Sequence, residues 1–237
     1  MPNYGPSIVT DNLLAHYDAA NPLSYPGAGA TWFDLSGNGY NVTMFGSPTH
    51  TRPIAGKSLG ITLAGGTSGQ YMRNTTMPNG HSSFTVEVIF FHNGLDQNGS
   101  YGVVSVGSYA GPMYYNHTSG TGGHYFGNNV YLSGLGWSNY QWNHYVGTYD
   151  DIKTAGLRPY KLYRNNSLLV NTYKDFVAYG VPNGSGHGVS GFLLGNYSSG
   201  SSNVYKGSFG IFRFYDKVLT VDEIDQNFQA TRSRFGL

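Results

Sequence analysis

The chain has 237 residues, 39% of them apolar and 16% aromatic, but only 11% carry charge, well below the rough quarter of an average globular protein. The net charge is +1 with the 13 Lys and Arg scattered, and no stretch approaches the ~20 apolar residues that span a bilayer, which argues against a nucleic-acid surface and a membrane helix. Cysteine is absent, which excludes a disulfide framework, thiol catalysis and thiolate-bound zinc.

Glycine-rich pieces recur at the spacing of turns between strands, without a linker-like break, so the expectation is a short N-terminal arm (residues 1–7) and one domain over 8–237. Strands are predicted at 13–18 (LLAHYD), 41–45 (NVTMF) and 59–63 (LGITL), followed by the long apolar segment 84–92 (FTVEVIFFH). In that segment Phe84, Val86, Val88 and Phe90 share one face, with Thr85, Glu87, Ile89 and Phe91 on the other. Apolar residues end both faces, so the strand should be covered on both sides. Further strands are predicted at 101–106, 142–149, 160–164, 168–173, 192–195 and 208–215. Asn165-Asn166 lies where a two-residue hairpin turn needs positive φ.

One helix follows. Thr220-Val-Asp-Glu223 reads as a capping box, with Leu219 and Ile224 as the matching hydrophobic staple. Val221, Ile224 and Phe228 are expected on the face that packs against a sheet, with the helix ending near Ser233 and Gly236 beyond. Strands in this number with one short helix predict an all-β fold: a two-sheet antiparallel jelly-roll sandwich.

Residues 13–44 read LLAHYDAANPLSYPGAGATWFDLSGNGYNVTM. Pro22 and Pro26 fix φ, Gly27 and Gly29 open conformations closed to other residues, and Asp34 and Ser36 suit a tight turn ending at Asn38-Gly39. Trp32 is expected to anchor this loop over a sheet edge. The segment resembles the opening of laminin G-like, concanavalin A-like jelly rolls found in tailed-bacteriophage structural proteins. Asp18, Asn21, Pro22, Ser24, Tyr25, Pro26, Gly27, Gly29, Trp32, Asp34, Leu35, Ser36, Gly37 and Gly39 carry the match. The strand at 84–92, Trp142 to Tyr149, Tyr163-Arg-Asn165, 207–215, 219–224 with Asn227-Phe228, and Arg234-Phe-Gly236 continue it in order. The likeness covers about residues 8–237 and is weakest over 109–139.

The fold this resemblance implies also carries glycoside hydrolases. Retaining hydrolysis needs two carboxylates about 5 Å apart across the sugar bond. Only two glutamates occur, Glu87 and Glu223. The second is committed to the helix cap. Glu87 has no carboxylate within four residues, so it is expected as a polar group on a ligand-facing or partly wet sheet, and no enzymatic activity is expected. Calcium takes six to eight oxygens. One structural calcium near Asp18, Asp34 and Asp216, or at Asp150-Asp151, stands against these carboxylates simply fixing turns; no other cofactor is expected. The eight histidines show no H-x-x-x-H spacing for zinc.

The candidate ligand-binding residues are Tyr109, Tyr114, Tyr115, His117, His124, Tyr125, Trp137 and Tyr140, an aromatic tract amid Gly, Ser and Asn that also holds Tyr131. Flat aromatic faces suit sugar C–H surfaces, and equally suit protein contacts; a sheet-covering loop is the third reading. Residues 1–12 have neither a basic start nor an apolar core, so no signal peptide is expected. With the resemblance, this implies a bacteriophage virion structural protein exposed on the particle surface, as head decoration, head fibre or tail component. It would be made in the host cytoplasm, contact other virion proteins and copies of itself, and adhere to host or environmental glycans. A free-standing carbohydrate-binding, lectin-like adhesin is the alternative, and a glycoside hydrolase is the remote one.

Overall fold

The computed structural model describes residues 6–66, 68–78, 81, 83–94, 100–106, 113–116, 124–126, 130–132, 138–150, 158–174, 191–196 and 204–237. In chain order the strands are β1 Leu13–Asp18, β2 Thr31–Trp32, β3 Val42–Phe45, β4 Thr49–Thr51, β5 Gly60–Gly66, β6 Tyr71–Asn74, β7 Phe84–His92 and β8 Ser100–Val106. They continue as β9 Met113–Asn116, β10 His124–Phe126, β11 Val130–Leu132, β12 Gln141–Tyr149, β13 Arg158–Arg164, β14 Ser167–Lys174, β15 Phe192–Leu194 and β16 Val204–Tyr215. The helix α1 spans Val221–Phe235.

Two antiparallel sheets form the sandwich. The eight-stranded sheet runs β14-β13-β12-β7-β16-β5-β4, with β1 also paired to β16; the six-stranded sheet runs β2-β3-β6-β15-β8-β9. β16 is long enough to serve two partners on one side. Its first half pairs with β5 and its second half with β1. A register irregularity between Phe209 and Ile211 marks the change, and Gly210 O there accepts from Ala19 N at 2.8 Å.

The central strand β7 is buried along its whole length, as a strand covered on both faces must be. Its Phe84, Val86, Val88 and Phe90 face the core between the sheets, where they meet Tyr17, Trp32, Met72, Tyr145, Phe192, Phe212 and Phe214. Each large apolar side chain so enclosed contributes roughly 1.5–3 kcal/mol. Its Ile89 and Phe91 face the other way and pack with Trp142, Ile211 and Phe235 of α1.

Trp32 lies on β2, the edge strand of the six-stranded sheet, and anchors its segment from the inside: it is fully buried in the inter-sheet core, 5.4 Å from the Tyr17 ring. Pairing of Trp32 with Val42 turns its side chain inward, because residues opposite each other in a ladder share a face. The turn that follows forms as the residues dictate. Asp34 Oδ1 accepts from His16 N at 3.0 Å and Ser36 N at 2.9 Å, and its Oδ2 accepts from Tyr40 N at 3.1 Å.

The helix begins with the expected capping box at Thr220 and Glu223 and closes on Gly236 in the left-handed region. Leu219 and Ile224 bury in one cluster with Val9, Val146, Tyr163 and Tyr215. Val221, however, is 60% exposed. The buried face is Ile224, Asn227, Phe228, Thr231 and Phe235, two polar positions wider than an apolar-only reading admits. Asn165 and Asn166 both take positive φ, 45° and 66°, in the β13–β14 hairpin.

Candidate functional site

On the outer face of the eight-stranded sheet, cross-strand register lines up His16 of β1, Arg213 of β16 and Glu87 of β7. His144 of β12 reaches the same carboxylate from the next strand. Glu87 Oε1 lies 2.8 Å from Arg213 Nη1 and 2.9 Å from His144 Nε2, and its Oε2 accepts from Asn227 Nδ2 of α1 at 2.8 Å. Glu87, Arg213, His144 and Asn227 are all buried, with the Phe228 ring lying over His144 at 5.3 Å.

The electrostatics follow from this enclosure. Burial alone pushes the Glu87 carboxyl up, but the Arg213 charge and the bonds from His144 and Arg213 outweigh it and bring its pKa down to about 2. His16 is lowered to about 4, first by burial and then by Arg213. Glu87 is thus held as a carboxylate, a structural anion. The expectation of a ligand-facing or partly wet glutamate is corrected: the helix from 140 residues downstream closes over it.

The aspartates considered for calcium are spread over separate turns. Asp18 Oδ1 accepts from Ala20 N and its Oδ2 from Arg234 Nη1 at 2.8 Å. Asp34 is occupied by the backbone amides named above, Asp216 pairs with His81 at 2.8 Å, and Asp150 Oδ1 accepts from Ser83 Oγ. Asp151 lies outside the described residues. Among the described residues no group of three or more His, Asp or Glu is arranged to hold a metal ion.

Of the aromatic tract, Tyr109, His117 and Trp137 lie outside the described residues. Tyr114 and Tyr115 lie on β9, the edge of the six-stranded sheet, opposite Gly102 and Tyr101 of β8. His124 and Tyr125 lie on β10, which pairs with β11 through His124–Leu132 and Tyr125–Tyr131 and runs beside β9. The backbone therefore brings these four positions together at one sheet edge. Tyr140 belongs elsewhere, in the turn before β12 of the other sheet. It is 62% exposed at φ 57°, and its N donates to His92 O at 2.8 Å.

The sequence reading missed an exposed surface on the six-stranded sheet. Phe45 of β3 and Tyr71 of β6 are direct ladder partners whose rings stack at 4.6 Å and 12°. Two residues along, Thr43 pairs with Arg73, which pairs onward with Leu193 of β15. The alternation Val42-Thr-Met-Phe45 already placed Thr43 and Phe45 on one face; nothing local showed that residues 71–73 would pair with them.

Solved structures share the fold. The sialidase of Trypanosoma rangeli in complex with sialic acid matches with a TM-score of 0.64 and 15% identity, over 92% of this chain and 33% of the sialidase. The botulinum neurotoxin serotype D binding domain matches with a TM-score of 0.61 and 12% identity, over 93% of this chain and 52% of that one. Domain 4 of AbnA, an extracellular arabinanase from Geobacillus stearothermophilus in complex with arabinotriose, matches with a TM-score of 0.53 and 18% identity, over 92% of this chain and 98% of the domain. The fold is a jelly-roll β-sandwich. This jelly roll spans about a third of the length of the sialidases it matches. No family model matches the sequence, and no curated protein matches it. Among the described residues, no helix is long and apolar enough to cross a membrane.

Proposed function

We propose that this jelly roll is a non-enzymatic adhesion module that holds glycans on its aromatic surface and is displayed on the outside of a bacteriophage particle. The observation that carries the reading is the sealing of Glu87. The one glutamate on a central strand is spent on Arg213, His144 and Asn227 under α1, away from any sugar. The other glutamate, Glu223, caps the helix and pairs with Lys217 at 2.6 Å. The acid pair on which glycosidic hydrolysis of the usual kind depends is therefore not supplied by glutamate. Binding is supported by the aromatic-rich, charge-poor composition and by the Tyr and His positions gathered at the β9–β10 edge. Two of the similar proteins were solved with a sugar bound, sialic acid in one and arabinotriose in the other.

The virion setting rests on the sequence resemblance over residues 13–44 and the later segments, together with partners that would be neighbouring virion proteins and copies of the same chain. A free-standing lectin-like adhesin uses the same surface without the particle.

A glycan array probed with the full chain at micromolar concentration tests the binding. Specific signals, weakened in Tyr125→Ala or Trp137→Ala, are expected. Silence across the array, or release of reducing sugar from a polysaccharide panel that Glu87→Gln abolishes, would overturn it. Immunogold labelling of intact particles tests the placement: label on the exterior is expected, and its absence leaves the free adhesin.

A further inference from the structure

The outer face of the six-stranded sheet carries a cation that none of the described residues neutralises. Arg73 projects from β6 on the face away from the core, since its neighbours Met72 and Asn74 are the buried ones. Its side chain is half-buried, and its Nε is cut off from water with no hydrogen-bond partner. Its ladder neighbours are Thr43 on one side and Leu193 on the other, and Thr43 pairs onward with Thr31. Among the described residues neither a carboxylate nor a carbonyl engages it, whereas the fully buried Arg213 is bonded to Glu87. The cation thus keeps hydrogen-bond donors that no described residue uses, and a ligand meeting the accessible end of the guanidinium can take them up.

Next to it stands a flat apolar surface. Phe45 is 37% exposed and stacks on Tyr71, so each ring holds the other in place. A ring already fixed loses little freedom when a ligand lies on it. Tyr71 and Arg73 are two residues apart on one strand face, about 6.6 Å along the sheet. That spacing suits one pyranose ring carrying an exocyclic carboxylate. The ring's C–H face would lie against the Phe45–Tyr71 pair and the carboxylate would reach the guanidinium, with the Thr43 and Thr31 hydroxyls beside it.

We propose that this face, from the Phe45–Tyr71 pair to Arg73, binds a carboxylate-bearing saccharide such as a uronic-acid unit. The ligand class rests on the adhesion reading above; the residues are different ones. A guanidinium already partly stripped of water binds a carboxylate more strongly than a hydrated one, because little further desolvation opposes the charge-assisted hydrogen bonds. The few charges elsewhere on the chain leave this attraction largely uncontested.

The test is calorimetric titration of the full chain at low salt with trigalacturonate, its methyl ester and a pentaglutamate peptide, for the wild type and for Arg73→Gln, Arg73→Lys, Phe45→Ala and Tyr140→Ala. Thermal melts confirm that each variant is folded. Trigalacturonate is expected to bind at least tenfold more tightly than its ester, Arg73→Gln to erase that difference, Arg73→Lys to restore part of it, and Phe45→Ala to weaken acid and ester alike. The proposal is overturned if trigalacturonate does not bind, if folded Arg73→Gln binds it as the wild type does, or if pentaglutamate binds as tightly, which would assign the face to an acidic protein segment. Glycan-array signals that survive Arg73→Gln and Phe45→Ala but vanish in Tyr125→Ala or Trp137→Ala leave the adhesion reading standing and sink this one. The reverse pattern keeps this face and removes the aromatic tract as the site.

Discussion

Asn227 and Glu87 are 140 residues apart in sequence, and the amide of the first donates to the carboxylate of the second at 2.8 Å beneath the C-terminal helix. The same Asn227 Nδ2 lies 2.9 Å from the Tyr215 hydroxyl, its Oδ1 accepts from Val9 N at 2.8 Å, and the Tyr215 hydroxyl donates to Val9 O at 3.1 Å. One side chain therefore ties the helix, the sheet and the segment before β1 together. Gln226 adds a bond to Ser7 O at 2.7 Å, so the last residues of the expected N-terminal arm lie along the helix. Asn227→Ala strips Glu87 Oε2 and Val9 N of their partner in the interior, while Oε1 keeps Arg213 and His144, and should lower stability by about 2–3 kcal/mol. Urea unfolding measures this, and hydrogen exchange at Val9 should accelerate. An unchanged midpoint would show that the network carries no net energy.

Glu87 and Arg213 form a buried ion pair, and removing one partner strands the other. Glu87→Gln and Arg213→Met should each cost about 3–5 kcal/mol, while the double variant should cost clearly less than their sum. A double-mutant cycle in guanidinium chloride reads the coupling. Strict additivity would mean the two charges are not interacting as the 2.8 Å separation implies.

Acid should loosen the protein in two steps of the same sign. His16 titrates near 4 in the folded chain against 6.5 when free, so on acidification the unfolded chain takes its proton first and stability falls between about pH 6.5 and 4. Glu87 is depressed from 4.5 to about 2; its contribution is full above 4.5 and is lost as pH falls towards 2. His16→Gln should flatten the upper part of the stability–pH curve and leave the lower part. A curve unchanged by that substitution between pH 6.5 and 4 would refute the assignment.

Gly210 and Gly29 should respond to alanine very differently. At Gly210 a Cβ would stand 2.5 Å from the Phe235 ring and 3.0 Å from Trp142, where the helix end presses on the sheet at the β16 irregularity. Gly210→Ala should cost about 3 kcal/mol or slightly more through overpacking. At Gly29, with φ 96°, a Cβ meets nothing within 4 Å, so only backbone strain of about 1–2 kcal/mol is expected. Comparable losses in thermal melts of the two variants would contradict the packing account.

Elements set by local periodicity were legible in the chain. The alternation through Phe84–His92, the Thr220–Glu223 cap and the paired asparagines at the hairpin each depend on neighbours within a few residues, and all three appear where their pattern places them. The short strands β2, β4, β6, β9, β10 and β11 were not read, because two to four residues seldom carry enough pattern to stand out from a loop; β3 and β15 did so. Val221 was misplaced for a related reason. An apolar stripe cannot show that Asn227 would win a place on the buried face by answering a charge on a distant strand.

The sequence by itself determined the class of fold, the two-sided burial of the central strand and the position of the helix, since each follows from spacing along the backbone. Tertiary structure alone decided that Glu87 is sealed with Arg213, His144 and Asn227 while Arg73 is left unanswered by any described residue beside Phe45 and Tyr71. The physical reason is range. Hydrophobic periodicity acts over neighbouring residues, whereas the environment of a charge is set by whichever strands and helices the fold brings against it.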